Sequence, residues 1–206
     1  MRFRPGFFSA AVGAAALTLC AAGESGAQSP ARPRFVEDEI AGIRIGVDRS
    51  DEIVRLYGHG FKTLPRSQEE RYCYWDGSRQ LGVQFRLSVA GVVDGVNVAE
   101  VQEQIDKACR DANLKVTTPL TTGKMIALGD SLETVLGVYG EPGNRVDGVA
   151  RGRRFVALEY ETRVERTPGV ARWYWVALLF FDAKLAAFQV LESSESVGNA
   201  LRRGTR

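Results

Sequence analysis

The stretch GDSLETVLGVYGEP (residues 129–142) decides the fold, because a degenerate copy of it, VDRSDEIVRLYGHG (residues 47–60), stands earlier in the chain. Aligned on their YG pairs, Tyr139 falls on Tyr57, Gly140 on Gly58, Val135 on Ile53 and Asp130 on Asp48, all at one offset. In each copy an Asp is followed three places on by an acid, Asp51 or Glu133, the spacing of an N-cap with an acidic N3 residue at the positive end of a helix. Apolar residues recur at Ile53, Leu56 and Tyr57, and at Val135, Val138 and Tyr139, one face of a helix in each case. Gly58 and Gly140 sit where a helix ends in a left-handed residue, and Pro142 blocks continuation. Asp130 beside Ser131 therefore reads as helix punctuation and not as chemistry.

Strand-like runs follow each helix. In the first half they are RYCYW (71–75), LGVQFRLS (81–88) and VVDGVNV (92–98); in the second, RFVALEYET (154–162), RWYWVALLFF (172–181) and LAAFQVLE (185–192). Short turns, SVAG and FDAK, join the last two strands of each half into hairpins. Between the halves, Val101, Ile105, Cys109 and Ala112 share one side of a predicted helix over 99–113. The fold class expected is α+β: two tandem repeats, each a short helical start packed on an antiparallel sheet of three to four strands.

The N-terminus reads as an export signal. Arg2 and Arg4 precede an apolar run at 7–22, and Ser25 and Ala27 offer small residues for cleavage after Ala27. The run is shorter than the ~18 or more apolar residues of a membrane anchor, so no transmembrane segment is expected in the mature chain. Lipoprotein processing at Cys20 is the alternative, against which Leu19 stands where a small residue belongs. Cys73 and Cys109 remain after cleavage, an even pair in an oxidising space, and are expected to form a disulfide; two free thiols are the other possibility. The expected location is periplasmic or secreted. A formal net charge of +2 provides no general field for nucleic acid.

These features resemble the BamE/SmpA-type outer-membrane assembly lipoproteins: a turn with Asp or Ser, a helix ending in YG, a Pro two residues later, and a final hairpin of the form FxxxKLxxxxV over 180–190. The same layout is similar to that of beta-lactamase inhibitor proteins, tandem repeats of such a unit. The resemblance implies an exported, non-enzymatic module that binds another envelope or secreted protein through its sheet. The chain departs from the pattern in lacking a good lipobox and in having Gly60 where the second copy has Pro142.

One face of the second unit departs from expectation. In the first, Leu81, Val83, Phe85 and Leu87 alternate with Gly82, Gln84, Arg86 and Ser88, which predicts one buried and one solvated face. In the second, Tyr174, Val176, Leu178 and Phe180 form the buried face. The other face is Trp173, Trp175, Ala177, Leu179 and Phe181. Such a group presents apolar area on the order of 500 Å², so Trp173, Trp175, Leu179 and Phe181 are the candidate partner-binding residues. The alternatives are cover by the chain itself, from the other unit, the 99–113 helix or the tail, and a small apolar or lipid ligand.

Catalytic and metal signatures are missing. His59 is the single histidine, in a turn between two glycines, so no multi-histidine metal site exists. Neither GxSxG nor a P-loop occurs. Glu159 and Glu161 share a strand face but need a cleft to act as a catalytic pair. Glu37 to Glu39 read as a solvated extension. No cofactor and no enzymatic activity are expected. The chain divides into a signal peptide (1–27), an N-terminal extension (28–42), a first unit (43–116) including the added helix, a linker (117–124), a second unit (125–195) and a basic tail (196–206).

Overall fold

The computed structural model describes residues 37–63, 70–100, 105, 107–112, 114, 116, 118–167 and 170–196. The expected signal peptide with Cys20, residues 28–36 of the N-terminal extension, Val101 and the tail beyond Ser196 lie outside the described residues. A small hairpin, β1 (Glu39–Ile40) and β2 (Ile43–Arg44), comes first, followed by α1 (Ser50–Tyr57), β3 (Phe61–Thr63), β4 (Glu70–Asp76), β5 (Leu81–Leu87) and β6 (Val93–Ala99). After α2 (Lys107–Ala112) come α3 (Leu132–Tyr139), β7 (Asn144–Ala150), β8 (Arg153–Thr167), β9 (Val170–Phe181) and β10 (Lys184–Ser196).

The two quoted stretches are α1 and α3. Their caps lie one residue later than the spacing predicts. Ser131 is the N-cap of α3 and accepts from the Thr134 amide, while Arg49 caps α1 without a side-chain bond. The two aspartates close the preceding turns instead: Asp48 Oδ2 accepts from the Arg44 amide at 2.8 Å and Asp130 Oδ2 from the Ala127 amide at 2.9 Å. Gly58 and Gly140 do end the helices at positive φ, 77° and 75°, where a side chain would be strained. Each glycine carbonyl accepts from a sheet tyrosine, Tyr74 at 2.7 Å and Tyr160 at 2.9 Å, which satisfies an acceptor at the helix end. Burial pushes both phenols up to about 12, with the neighbouring Tyr72 and Glu141 adding to the shift.

Every long strand enters one antiparallel sheet, in the order β3-β4-β5-β6-β10-β9-β8-β7. The strands of the two stretches therefore do not form separate sheets. β6 pairs with β10, with Val96 opposite Val190 and Val98 opposite Phe188. This pairing removes two edges that would otherwise be open templates for aggregation. On the near face, α1 and α3 bury Ile53, Tyr57, Val135 and Tyr139 against Phe85, Leu178, Phe180 and Phe188 in a single core, each aromatic contributing roughly 1.5–3 kcal/mol of burial.

The N-terminal extension also belongs to this core. Ile40 and Ala41 are fully buried, and Glu37 is 2% exposed, which corrects its reading as a solvated acid. Tyr139 Oη lies 2.8 Å from Glu37 Oε2, and the Gly123 amide donates to Glu37 Oε1 at 3.0 Å. Burial raises the Glu37 carboxyl above its ordinary range, opposed by these hydrogen bonds and by Lys124. Residues 118–124, read as a linker, bond to the hairpin: the Ala41 amide donates to the Thr121 carbonyl at 2.7 Å.

Candidate partner-binding face

Residues directly opposite in antiparallel strands point to the same side, so the register fixes what the far face carries. On β9 it carries Trp173, Trp175, Ala177, Leu179 and Phe181. On β8 these face Arg163, Glu161, Glu159, Ala157 and Phe155 in turn. On β10 Ser193, Leu191, Gln189 and Ala187 lie opposite Trp173, Trp175, Ala177 and Leu179. The four candidate residues are thus brought together, and Phe155, which the sequence reading did not single out, joins them. Phe155 is seated on Gly148 of β7, where a Cβ would come within 2.6 Å of its ring.

Trp173, Trp175, Phe181 and Phe155 are half-buried, while Leu179 is buried. Two arginines at the rim stack on this group: the Arg163 guanidinium lies 5.8 Å from the Trp173 ring centre and Arg153 lies 4.8 Å from that of Phe181. Cation–π contact of this kind shields an aromatic face while leaving the charge in water. Arg153 also bonds Asp182 at 2.9 Å.

The opposite end of the same face is differently arranged. Cys73 of β4 lies opposite Gln84 and is joined to Cys109, with Cα atoms 5.7 Å apart, so the expected disulfide holds α2 on the far side of the sheet. The helix is shorter than the 99–113 prediction, since Ala99 still belongs to β6. Ahead of it, Ile105 presses on Gly82, where an added Cβ would meet Ile105 Cγ1 at 2.9 Å and Trp75 at 2.7 Å. The face of β5 expected to be solvated is therefore covered at Gly82, and Gln84 is 6% exposed.

The remaining candidates do not converge. His59 is exposed beside β3, at one end of the strand order, whereas Glu159 and Glu161 lie on β8 near the other end. Glu159 accepts from the Asn144 side chain at 3.0 Å, and Glu161 is exposed. Among the described residues no group of three or more His, Cys, Asp or Glu side chains is placed to hold a metal ion, and no helix is long and apolar enough to cross a membrane. The disulfide fits an extracellular or periplasmic protein.

No family model and no curated protein matches the chain. Among solved structures, a DUF4309 family protein (YjgB) from Bacillus subtilis is similar at 10% identity and a TM-score of 0.37, covering 74% of this chain and 83% of that one. A candidate beta-lactamase inhibitor protein from Streptococcus mutans is similar at 8% identity and a TM-score of 0.25, covering 75% and 91%. At these scores neither likeness bears on what this chain does.

Proposed function

We propose that the chain is an exported, non-enzymatic protein-binding module, an envelope assembly accessory or inhibitor-like binder, acting through the far face of β8, β9 and β10. The observation that carries this reading is the contiguous group of Trp173, Trp175, Phe181 and Phe155, which stays half-buried while Phe85, Phe180 and Phe188 of the near face are fully buried. Aromatic anchors in a patch that a partner can desolvate are what supply binding energy at interfaces. The two helix-plus-four-strand stretches are read as tandem units that share one sheet. The matched tyrosine-to-glycine bonds and the helix-to-strand bridges Arg49 with Val92 and Ser131 with Lys184 support that reading. Export after removal of residues 1–27 brings the chain to the oxidising space that its disulfide suits.

The test is a crosslinking pull-down from the native envelope with mature wild-type protein and a Trp173→Ser/Trp175→Ser control. A protein retained by the wild type alone, with both baits equally folded, supports the reading and names the partner. Equal retention by both removes it. A double variant that no longer folds would make the tryptophans core.

A further inference from the structure

The two ends of the eight-stranded sheet are finished differently. One end is β3, which is 3 residues long and has Lys62 at its middle. Short edge strands and lysines are devices that keep a sheet from pairing with another chain. The other end is β7, with 7 residues in unbroken register along β8 and with neither lysine nor proline within it. Among the described residues no strand lies along its outer side. Alternate amides and carbonyls of an edge strand point outward, so β7 presents a pairing template. Val146 is 46% exposed on the far face and Val149 is 69% exposed on the near face. The two charges of the strand sit together on the near face, with Arg145 Nε 2.8 Å from Asp147 Oδ2.

We infer that β7 is a dimerisation edge, which pairs antiparallel with β7 of a second copy of this chain about a two-fold axis at Val146. In that register Val146 lies opposite itself, Arg145 of each copy opposite Asp147 of the other, and Asn144 opposite Gly148. Opposite charges placed across a strand pair stabilise it, and like charges oppose it. An axis at Arg145 would set arginine against arginine, and one at Asp147 acid against acid. Among two-fold axes along the strand, the one at Val146 alone sets Arg145 against Asp147. Gly148 leaves the space opposite Asn144 free of a side chain, and Asn144 is turned back to Glu159 of its own strand pair at 3.0 Å. The axis of such a pair stands perpendicular to the sheet, so both far faces point the same way. Val146 lies opposite Ala157, and Ala157 opposite Leu179; the apolar strip of β9 therefore continues through the paired valines into the second copy. A foreign strand would meet the same backbone edge without a matched order of charges, whereas a second copy matches by symmetry. Two paired strands bury less than a standard interface, so the dimer is a weak one, with a dissociation constant on the order of 1–100 μM.

This inference stands apart from the partner-binding reading of the far face, because the dimer is read on the protein alone. Sedimentation velocity of the mature protein is followed from about 1 to 500 μM, a range that spans such an affinity. The variants are Arg145→Asp, Asp147→Arg and the two together; both side chains are about half exposed, and the urea midpoint checks folding. Wild type should dimerise. Each single variant sets like charges together on both sides of the axis and should weaken the dimer roughly tenfold or more. The double variant exchanges the charges and should recover the dimer. An equal mixture of the two single variants should form a heterodimer, since the acids of one copy then meet the arginines of the other. A wild type that stays monomeric over the whole range overturns the inference, as does a dimer that the single variants leave unchanged or the double variant fails to restore. A dimer lost in Trp173→Ser/Trp175→Ser and kept in the charge variants would place the second copy on the aromatic face and overturn the edge. A monomer whose β7 amides gain hydrogen-exchange protection only when envelope extract is added would make the occupant a foreign strand and overturn the second copy. Should a charge variant fail to fold, Val146→Lys, which sets two lysines at the axis, is read in its place and should also abolish the dimer.

Discussion

Removing the Cys73–Cys109 bond tests how the far face is assembled. The bond closes a separation of 36 residues. In the chain-entropy account, a loop of that length removes about 13 cal/mol/K from the unfolded ensemble, or about 3.8 kcal/mol at 25 °C. For a domain whose whole stability is of the order of 5–15 kcal/mol, that is a large share. The variant to use is Cys73→Ala/Cys109→Ala, because both positions are at most 1% exposed and serine would add the separate cost of burying two hydroxyls. With a urea slope of about 2 kcal/mol per molar, the midpoint should fall by about 2 M. A local readout accompanies the global one. The protein has 3 tryptophans, so in the Trp173→Ser/Trp175→Ser background Trp75 is the single emitter, and it is 4% exposed, against Gly82 beside Ile105. Its emission should shift to the red, below the unfolding midpoint, once α2 is no longer tied to β4. A loss under about 1 kcal/mol with unchanged Trp75 emission would refute the reasoning. In that case α2 would be held by its own packing, and the loop would already be constrained in the unfolded chain.

Glu37 gives a pH prediction. Its carboxyl is raised above the ordinary value in the folded protein, so the folded state binds more protons than the unfolded one over the interval between the two values, and stability falls as pH rises through it. Glu37→Gln should flatten the fall in urea midpoint from about pH 4.5 upward, the ordinary glutamate range; an unchanged slope would assign it to another group. Ser131→Ala should cost about 1 kcal/mol by loss of the cap on Thr134. Arg49→Ala, at a cap that makes no such bond, should cost less than half of that in the same urea series; equal costs would contradict the capping assignment.

The helices were legible because their signals are local. Ile53 and Tyr57, or Val135 and Tyr139, share a face through the helical period alone, and a glycine at positive φ must follow. The caps shifted by one residue because an Asp side chain can bond either forward to the helix or backward to the turn. Here Arg44 and Ala127 supply the nearer amides. The β6–β10 seam was not legible, since alternation reports which faces are buried and not which strand lies alongside. β7 escaped notice because NRVDGVA is polar, glycine-containing and mostly exposed, the pattern of an edge strand that signals little. Glu37 was misread for a similar reason. Its partners Gly123 and Tyr139 are 86 and 102 positions away, and no window around an EDE run contains them.

The far face shows what periodicity can and cannot convey about function. The same alternation that gives β5 its Gln84 and Arg86 gives β9 its Trp173 and Trp175, and that contrast is what drew the sequence reading to this face. What it assumed was that polar means exposed. In the fold, Gln84, Asn97 and Gln189 are at least nine-tenths buried, whereas Trp173, Trp175, Phe155 and Phe181 are only half so. Leaving aromatic area exposed opposes folding. The proposed partner is what would cover those aromatics. The arginines stacked on Trp173 and Phe181 are then the groups a partner displaces or meets first. A partner should therefore lose affinity on Arg163→Ala far less than on Trp173→Ser.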